Sequence, residues 1–209
     1  MTDLLRNLLI LLVFVTCPPP LCGQEAEEET KKTIQSPSPD GQFAFRYSGD
    51  AESENQTYDL IDKRSGKLLK SVAESDPNLG PSARFHIEGV LWRPDSKAFA
   101  ITAMLWKRGS SVSVFVRDGS TFREIELPEL AAEVPQKAKH GMDLQHVAEL
   151  DSKSAIRWEK DGSLIVHIET IVDGNEGSVT ATRTVVLALD RSDKAKVRKS
   201  TIKFAVEKQ

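Results

Sequence analysis

Three short segments of this chain repeat one design: a tight turn built on an aspartate, followed at once by an apolar strand. They are Ser38-Pro-Asp40-Gly41 before residues 42–47, Trp92-Arg-Pro94-Asp95-Ser96 before 97–102, and Trp158-Glu-Lys-Asp161-Gly162 before 163–168. An aspartate carboxylate accepts hydrogen bonds from backbone N–H groups just ahead of it, and a following Gly tolerates positive φ, so the pattern fixes a turn. The aspartates stand 55 and then 66 residues apart. A period of that size is the mark of stacked or radial β units.

Each turn-and-strand segment leads to a second hairpin. In the first unit it is Tyr58–Asp62, a turn at Lys63-Arg-Ser-Gly66, and Lys67–Val72. In the second it is Val112–Val116, Arg117-Asp-Gly-Ser120, and Thr121–Leu127, and in the third Thr184–Leu189, Asp190-Arg-Ser-Asp193, and a polar strand from Lys194 to Phe204. Apolar and polar residues alternate in Phe122-Arg-Glu-Ile-Glu-Leu127, as in a half-buried antiparallel strand. With leading strands at Arg84–Trp92 and Ala155–Trp158, and a weaker one near Thr33-Ile34, each unit reads as a four-stranded meander. The expected fold is therefore all-β and mostly antiparallel. Three blade-like units at about 33–75, 83–127 and 153–204 form a single domain over 33–209. The longer gap between the second and third units holds Leu130 and Val134, then Leu144, Val147 and Leu150, at helical spacing behind Pro128. This predicts a short helical insertion near 128–150, with one helix and a second after Gly141.

The turn motif, Trp-x-x-Asp-Gly/Ser before an apolar strand, together with a hairpin such as Leu60-Ile-Asp62 to Ser65-Gly66-Lys67, resembles the blades of WD-like β-propellers. TolB-like exported proteins and the propeller domains of prolyl-oligopeptidase-type peptidases are the nearest in pattern. The likeness covers about residues 33–204 and implies a partial or small propeller-like fold, but no particular activity. Two departures stand beside it. Propellers close with four to eight blades, whereas three units are counted here, and Pro37 stands where the other units carry Trp. A partial propeller, a curved open sheet, and a homodimer that completes a ring all fit that count. An open end would leave a strand edge to be blunted, and Lys194, Lys196, Arg198, Lys199 and Lys203 crowd the last strand.

The amino terminus reads as an export signal. Arg6 precedes the apolar run Leu8–Val15, which is shorter than a bilayer core of ~30 Å requires, and Pro18, Pro19 and Pro20 end any helix. Residues 1–23 are expected to be removed, leaving a charged, acidic tether at 24–32 and a mature chain with no second long apolar run. The expected location is periplasmic or extracellular. Lipid anchoring at Cys17 or Cys22 is the weaker reading, since neither follows a small residue. Without those two residues the mature chain has no cysteine, which removes disulfides, thiolate nucleophiles and Cys-ligated zinc. A net charge of −3 with interspersed signs lacks the basic footprint of a nucleic-acid binder.

The search for chemistry yields little. No Gly-x-Ser-x-Gly elbow, phosphate-binding glycine loop or paired carboxylates in an apolar setting occur, so no catalytic residue and no cofactor is assigned. His140, Asp143 and His146 are spaced by three and form a weak candidate metal set, although Gly141 disfavours the helix that would align them. Asp173-Gly-Asn-Glu-Gly177 reads as a hairpin turn. The central hairpin loops of the units should share one rim. On the middle loop Trp106, Lys107 and Arg108 are the candidate binding residues for a protein or glycan, since Trp and Arg are enriched in binding hot spots. The expected function is a non-catalytic binding or scaffold module. The alternative is a metal-assisted hydrolase, or an accessory domain of a peptidase.

Overall fold

A computed structural model describes residues 33–49, 56–74, 85–105, 109–147, 151–189 and 194–208. Residues 1–32, expected above to be a signal and a tether, and the candidate binding residues Trp106, Lys107 and Arg108 lie outside that set. Strands β1 (Thr33–Gln35), β2 (Phe43–Ser48), β3 (Thr57–Asp62) and β4 (Leu68–Glu74) form a first sheet in sequence order. Strands β5 (Phe85–Trp92), β6 (Ala98–Leu105), β7 (Ser110–Asp118) and β8 (Thr121–Glu124) form a middle sheet in the same way. The third sheet orders β10 (Ser152–Trp158), β11 (Leu164–Gly174), β12 (Gly177–Leu189) and β13 (Ala195–Lys208), with the short β9 (Gln145–His146) also paired to β11. Every pairing between these strands is antiparallel. The three meanders read from the sequence are thus three separate blade-like sheets, two of four strands and a third of four strands with β9 added, and among the described residues no sheet closes into a barrel.

The middle sheet is covered on both faces, and the period of two in its strands decides what each face meets. On β6, Phe99 and Ile101 point toward the first sheet. There they pack with Phe43, Phe45, Tyr58 and Leu60, and with Phe115 and Phe122 of their own sheet. The intervening Ala100, with Val112 and Val114 of β7, faces Leu164, Val166 and Ile168 of the third sheet, and Ala181, Val185 and Leu187 of β12. One interface is aromatic and the other aliphatic. Phe99 sits at the centre of the aromatic one, with ring centroids of Phe45, Trp92, Phe115 and Phe122 at 4.8–5.2 Å. Full burial of one such side chain contributes about 1.5–3 kcal/mol.

The tryptophans of the repeat act between units. The Trp92 indole N–H donates to the Ser36 carbonyl at 2.9 Å, and the Trp158 indole N–H donates to the Leu91 carbonyl at 2.9 Å. Each acceptor is the residue just before the corresponding position of the preceding unit, Pro37 or Trp92. The same joint is therefore made twice. Around the second joint β10 is stitched to the middle sheet: the Ala155 N–H donates to Thr102 Oγ1 at 3.1 Å and the Lys153 N–H to Ser110 Oγ at 3.0 Å. Gly109 permits this approach, since it adopts φ +73° and a Cβ there would overlap the Asp151 carbonyl.

The repeated turns close as their composition dictates. The carboxylates of Asp40, Asp95 and Asp161 each accept the N–H two residues on, from Gln42, Lys97 and Ser163, at 3.0 Å in each case. The hydroxyl and N–H of Ser163, with the Arg198 guanidinium, hold the Asp161 carboxyl down at about 2. Partial burial pushes Asp40 and Asp95 upward, but the bonds from Ser38 and Gln42 in one case, and from Arg93 and Lys97 in the other, leave both below the usual carboxylate value. A carboxylate with a depressed folded-state pKa adds stability that is complete above its unfolded value, near 4, and is lost as pH falls through the folded value. The urea midpoint should therefore hold level above pH 4 and drop between pH 4 and pH 2. Asp161→Asn should flatten part of that drop; equal wild-type midpoints at pH 4 and pH 2 would contradict these turn bonds.

The insertion differs from the expectation. Instead of a helix, residues 125–135 run extended, and the helical geometry is a single 3-10 turn at Gln136–Lys139. Leu130 and Ala132 are buried and Val134 packs beside them, so the face repeats every two residues and not every four. Pro128 and Pro135 also bracket too few residues for a stable helix. The second helix expected after Gly141 is replaced by β9, because His140 and Gly141, at φ 51° and 84°, turn the chain back onto β11. There Leu144 joins Val172 and Val179 in a small cluster with Val134 and Met142. The reason is coverage: β11 and β12 are longer than any strand of the other two sheets, and the insertion lies over apolar side chains beyond the reach of the middle sheet.

Candidate binding site

The site begins with a break in the register of β13. Val186 pairs with Lys199 but Leu187 pairs with Val197, so Arg198 is an extra residue that bulges from the ladder. A bulge re-aims the side chain it carries, and here the Arg198 guanidinium reaches the Asp161 carboxylate of the third turn. The bulge also sets which residues share a face beyond it. Ser200, Ile202, Phe204 and Val206 stand opposite Val185, Arg183, Ala181 and Val179, on the face turned toward the insertion. Lys199, Thr201 and Lys203 take the other face.

Ile202 and Phe204 remain 43% and 39% exposed, large values for side chains of their size, and with Val206 they form an apolar row. Between this row and the insertion lies a groove of about 540 Å³, lined by Glu129, Glu133, Lys137, Arg183, Ile202 and Phe204 among others. Arg183 spans it from below. Its Nε donates to Ser200 Oγ at 2.8 Å and its Nη1 to the Ala131 carbonyl at 2.7 Å, tying the extended insertion to β13.

β13 is also an edge. Only its first residues are covered on the outer side, where the Ala195 N–H donates to the Glu126 carbonyl at 2.9 Å and Lys194 Nζ meets the Glu126 carboxylate at 2.8 Å. Past Ala195, among the described residues, no strand pairs with that side. An edge strand of 14 residues therefore carries an apolar row on one face, lysines on the other, and its own N–H and C=O groups between them.

The residues singled out from the sequence are placed elsewhere or apart. Trp106, Lys107 and Arg108 fall outside the described residues. His140 caps the 3-10 turn, the Asp143 N–H donates to the Glu176 carboxylate at 3.2 Å, and His146 on β9 lies 2.9 Å from Asp151 through Nε2. Among the described residues no group of three or more His, Cys, Asp and Glu side chains is close enough together to hold a metal ion. The His146–Asp151 pair borders a second hollow of about 380 Å³, floored by Thr170 and Val172. Asn175 and Glu176 form the two-residue turn between β11 and β12, as the hairpin reading of that segment expects. Sequence reading found the lysines of the last strand but not the groove, because the groove depends on Arg183 and Ala131, 52 residues apart. No described helix is long and apolar enough to cross a membrane.

Fold and site together define an antiparallel all-β protein of three stacked meanders with one long, open edge strand. No protein-family model matches the chain, and no curated protein matches it.

Proposed function

We propose that this chain is an exported, non-catalytic binding or scaffold module, a partial propeller-like arc of three blades akin to the WD-like and TolB-like repeat families. The observation that carries the binding role is the groove beside β13, where Ile202, Phe204 and Val206 form a contiguous exposed apolar row along one strand. Kinship with propellers is supported by the joint made twice in the same way, by Trp92 and by Trp158. An open arc is supported by Pro37, which occupies the joint position of the first unit and has no indole N–H to give to a preceding blade. The periplasm or the cell exterior fits the signal-like residues 1–23 and a mature chain without cysteine.

Selection of random peptides and a glycan panel on the purified mature chain tests this reading. Enrichment of one family of ligands, competed by none of the usual hydrolase inhibitors, is the expected result. No enrichment in either panel, or a purified chain that carries one equivalent of zinc and cleaves ester or peptide substrates, would overturn it in favour of the hydrolase alternative.

A further inference from the structure

Resting on the binding role just stated, we propose that β13 takes its ligand by strand addition, and that the ligand is an extended peptide in which carboxylates alternate with apolar side chains. A strand laid along residues 196–206 would pair its backbone with the open edge of β13, the usual way an exposed sheet edge captures a peptide. The two faces of β13 then set the side chains by cross-strand pairing. Residues on the insertion side meet the row Ile202, Phe204 and Val206 and enter the groove, where the apolar side chains favour apolar partners and Glu129 and Glu133 stand against Lys137 and Arg183 with no net excess of either sign. Residues on the opposite face meet Lys199 and Lys203, neither of which is paired with a carboxylate of any described residue.

Charge decides between the two natural occupants. From residue 194 to 208 the chain carries six Lys or Arg and the single carboxylate of Glu207. Two copies paired edge to edge would bring both sets of cations together, whereas an acidic strand neutralises one set. The bulge at Arg198 serves the same end, since it commits that cation to Asp161 and leaves Lys199 and Lys203 on the free face.

The probe is an eight-residue peptide of alternating Val and Glu with blocked ends, titrated against the full mature chain. Two further versions carry N-methyl groups on all the Val or on all the Glu residues, which deletes one set of backbone donors without changing charge. The expected result is saturable binding with slowed amide exchange along 196–206. One N-methylated version should bind at least tenfold more weakly while the other is nearly unaffected, because only alternate N–H groups face β13. Affinity should fall by about tenfold with K199E and K203E combined, and the melting temperature of this variant should stay near that of the wild type, since both side chains are exposed.

Equal binding of both N-methylated versions would leave only charge attraction and overturn strand addition. Preference for an alternating Val–Lys peptide would overturn the acidic ligand. A doubled solution mass without peptide, lost in K199E with K203E, would make a second copy the occupant. In each of these cases the peptide and glycan selection still decides the binding role separately, since its enriched ligands can map to any surface of the chain.

Discussion

Phe99→Ala should destabilise the protein by about 3–5 kcal/mol, as large-to-small changes at buried aromatics do. Phe99 is fully buried, and its ring touches four others that come from both sheets and from the Trp92 joint. The hole would be walled by Phe45 and Tyr58, themselves stacked with centroids 4.9 Å apart, and by Phe115. These rings are held by strands on opposite sides, so the site cannot collapse without separating the sheets. A neighbouring substitution offers a control. Ala98→Gly, at another fully buried position of the same strand, removes a single methyl and should cost about 1 kcal/mol. Urea unfolding measures both. A loss below about 1.5 kcal/mol for Phe99→Ala would mean that the aromatic interface is not packed as described.

Trp158→Ala should cost about 3 kcal/mol or more, and Trp158→Phe about 1–2 kcal/mol. The ring packs against the aliphatic interface and lies under the Arg93 guanidinium, 5.8 Å from its centroid, while its N–H fixes the Leu91 carbonyl. Phe keeps most of the first contribution and loses the last. The comparison therefore separates packing from the hydrogen bond: a Trp158→Phe variant as stable as the wild type would deny that the bond matters, and equal costs for the two variants would deny that the ring packing does. Because β10 is held to the middle sheet through this joint, local opening of the third sheet should rise more than that of the first. Hydrogen exchange resolved by segment reads that difference.

Much of the fold was legible because its signals are local. An aspartate closing a turn onto the N–H two residues on needs no distant partner, so the turns at Asp40, Asp95 and Asp161 announce themselves. The strands that follow read correctly because Phe43, Phe99 and Leu164 open apolar runs directly behind those turns. The insertion misled because Leu130 and Val134 satisfy a period of four as well as a period of two, and the burial of Ala132 chooses between them only once β12 lies across it. In the third unit the strand expected from Thr184 begins at Gly177. Its hairpin runs on through Thr180, Thr182 and Thr184, polar residues that alternate with Val179, Ala181 and Arg183 and give a weak apolar signal. For the candidate site, the lysines of β13 stand in the sequence and read there as a blunted edge. The bulge that divides them into an engaged Arg198 and an open Lys199 and Lys203 depends on pairing with β12, which no single strand reveals. The tryptophans were visible as part of a motif, but their acceptors lie 56 and 67 residues away.

Stacking of the three units in sequence order, the second and third each fastened to the one before by its tryptophan, underlies the whole description. Amide and indole exchange by NMR can read it, with signals assigned through Trp92→Phe, Trp106→Phe and Trp158→Phe. The indole N–H groups of Trp92 and Trp158 should exchange as slowly as the most protected strand amides of β6. Exchange of either one at the rate of a free indole would mean that its unit is not joined to its neighbour in this way.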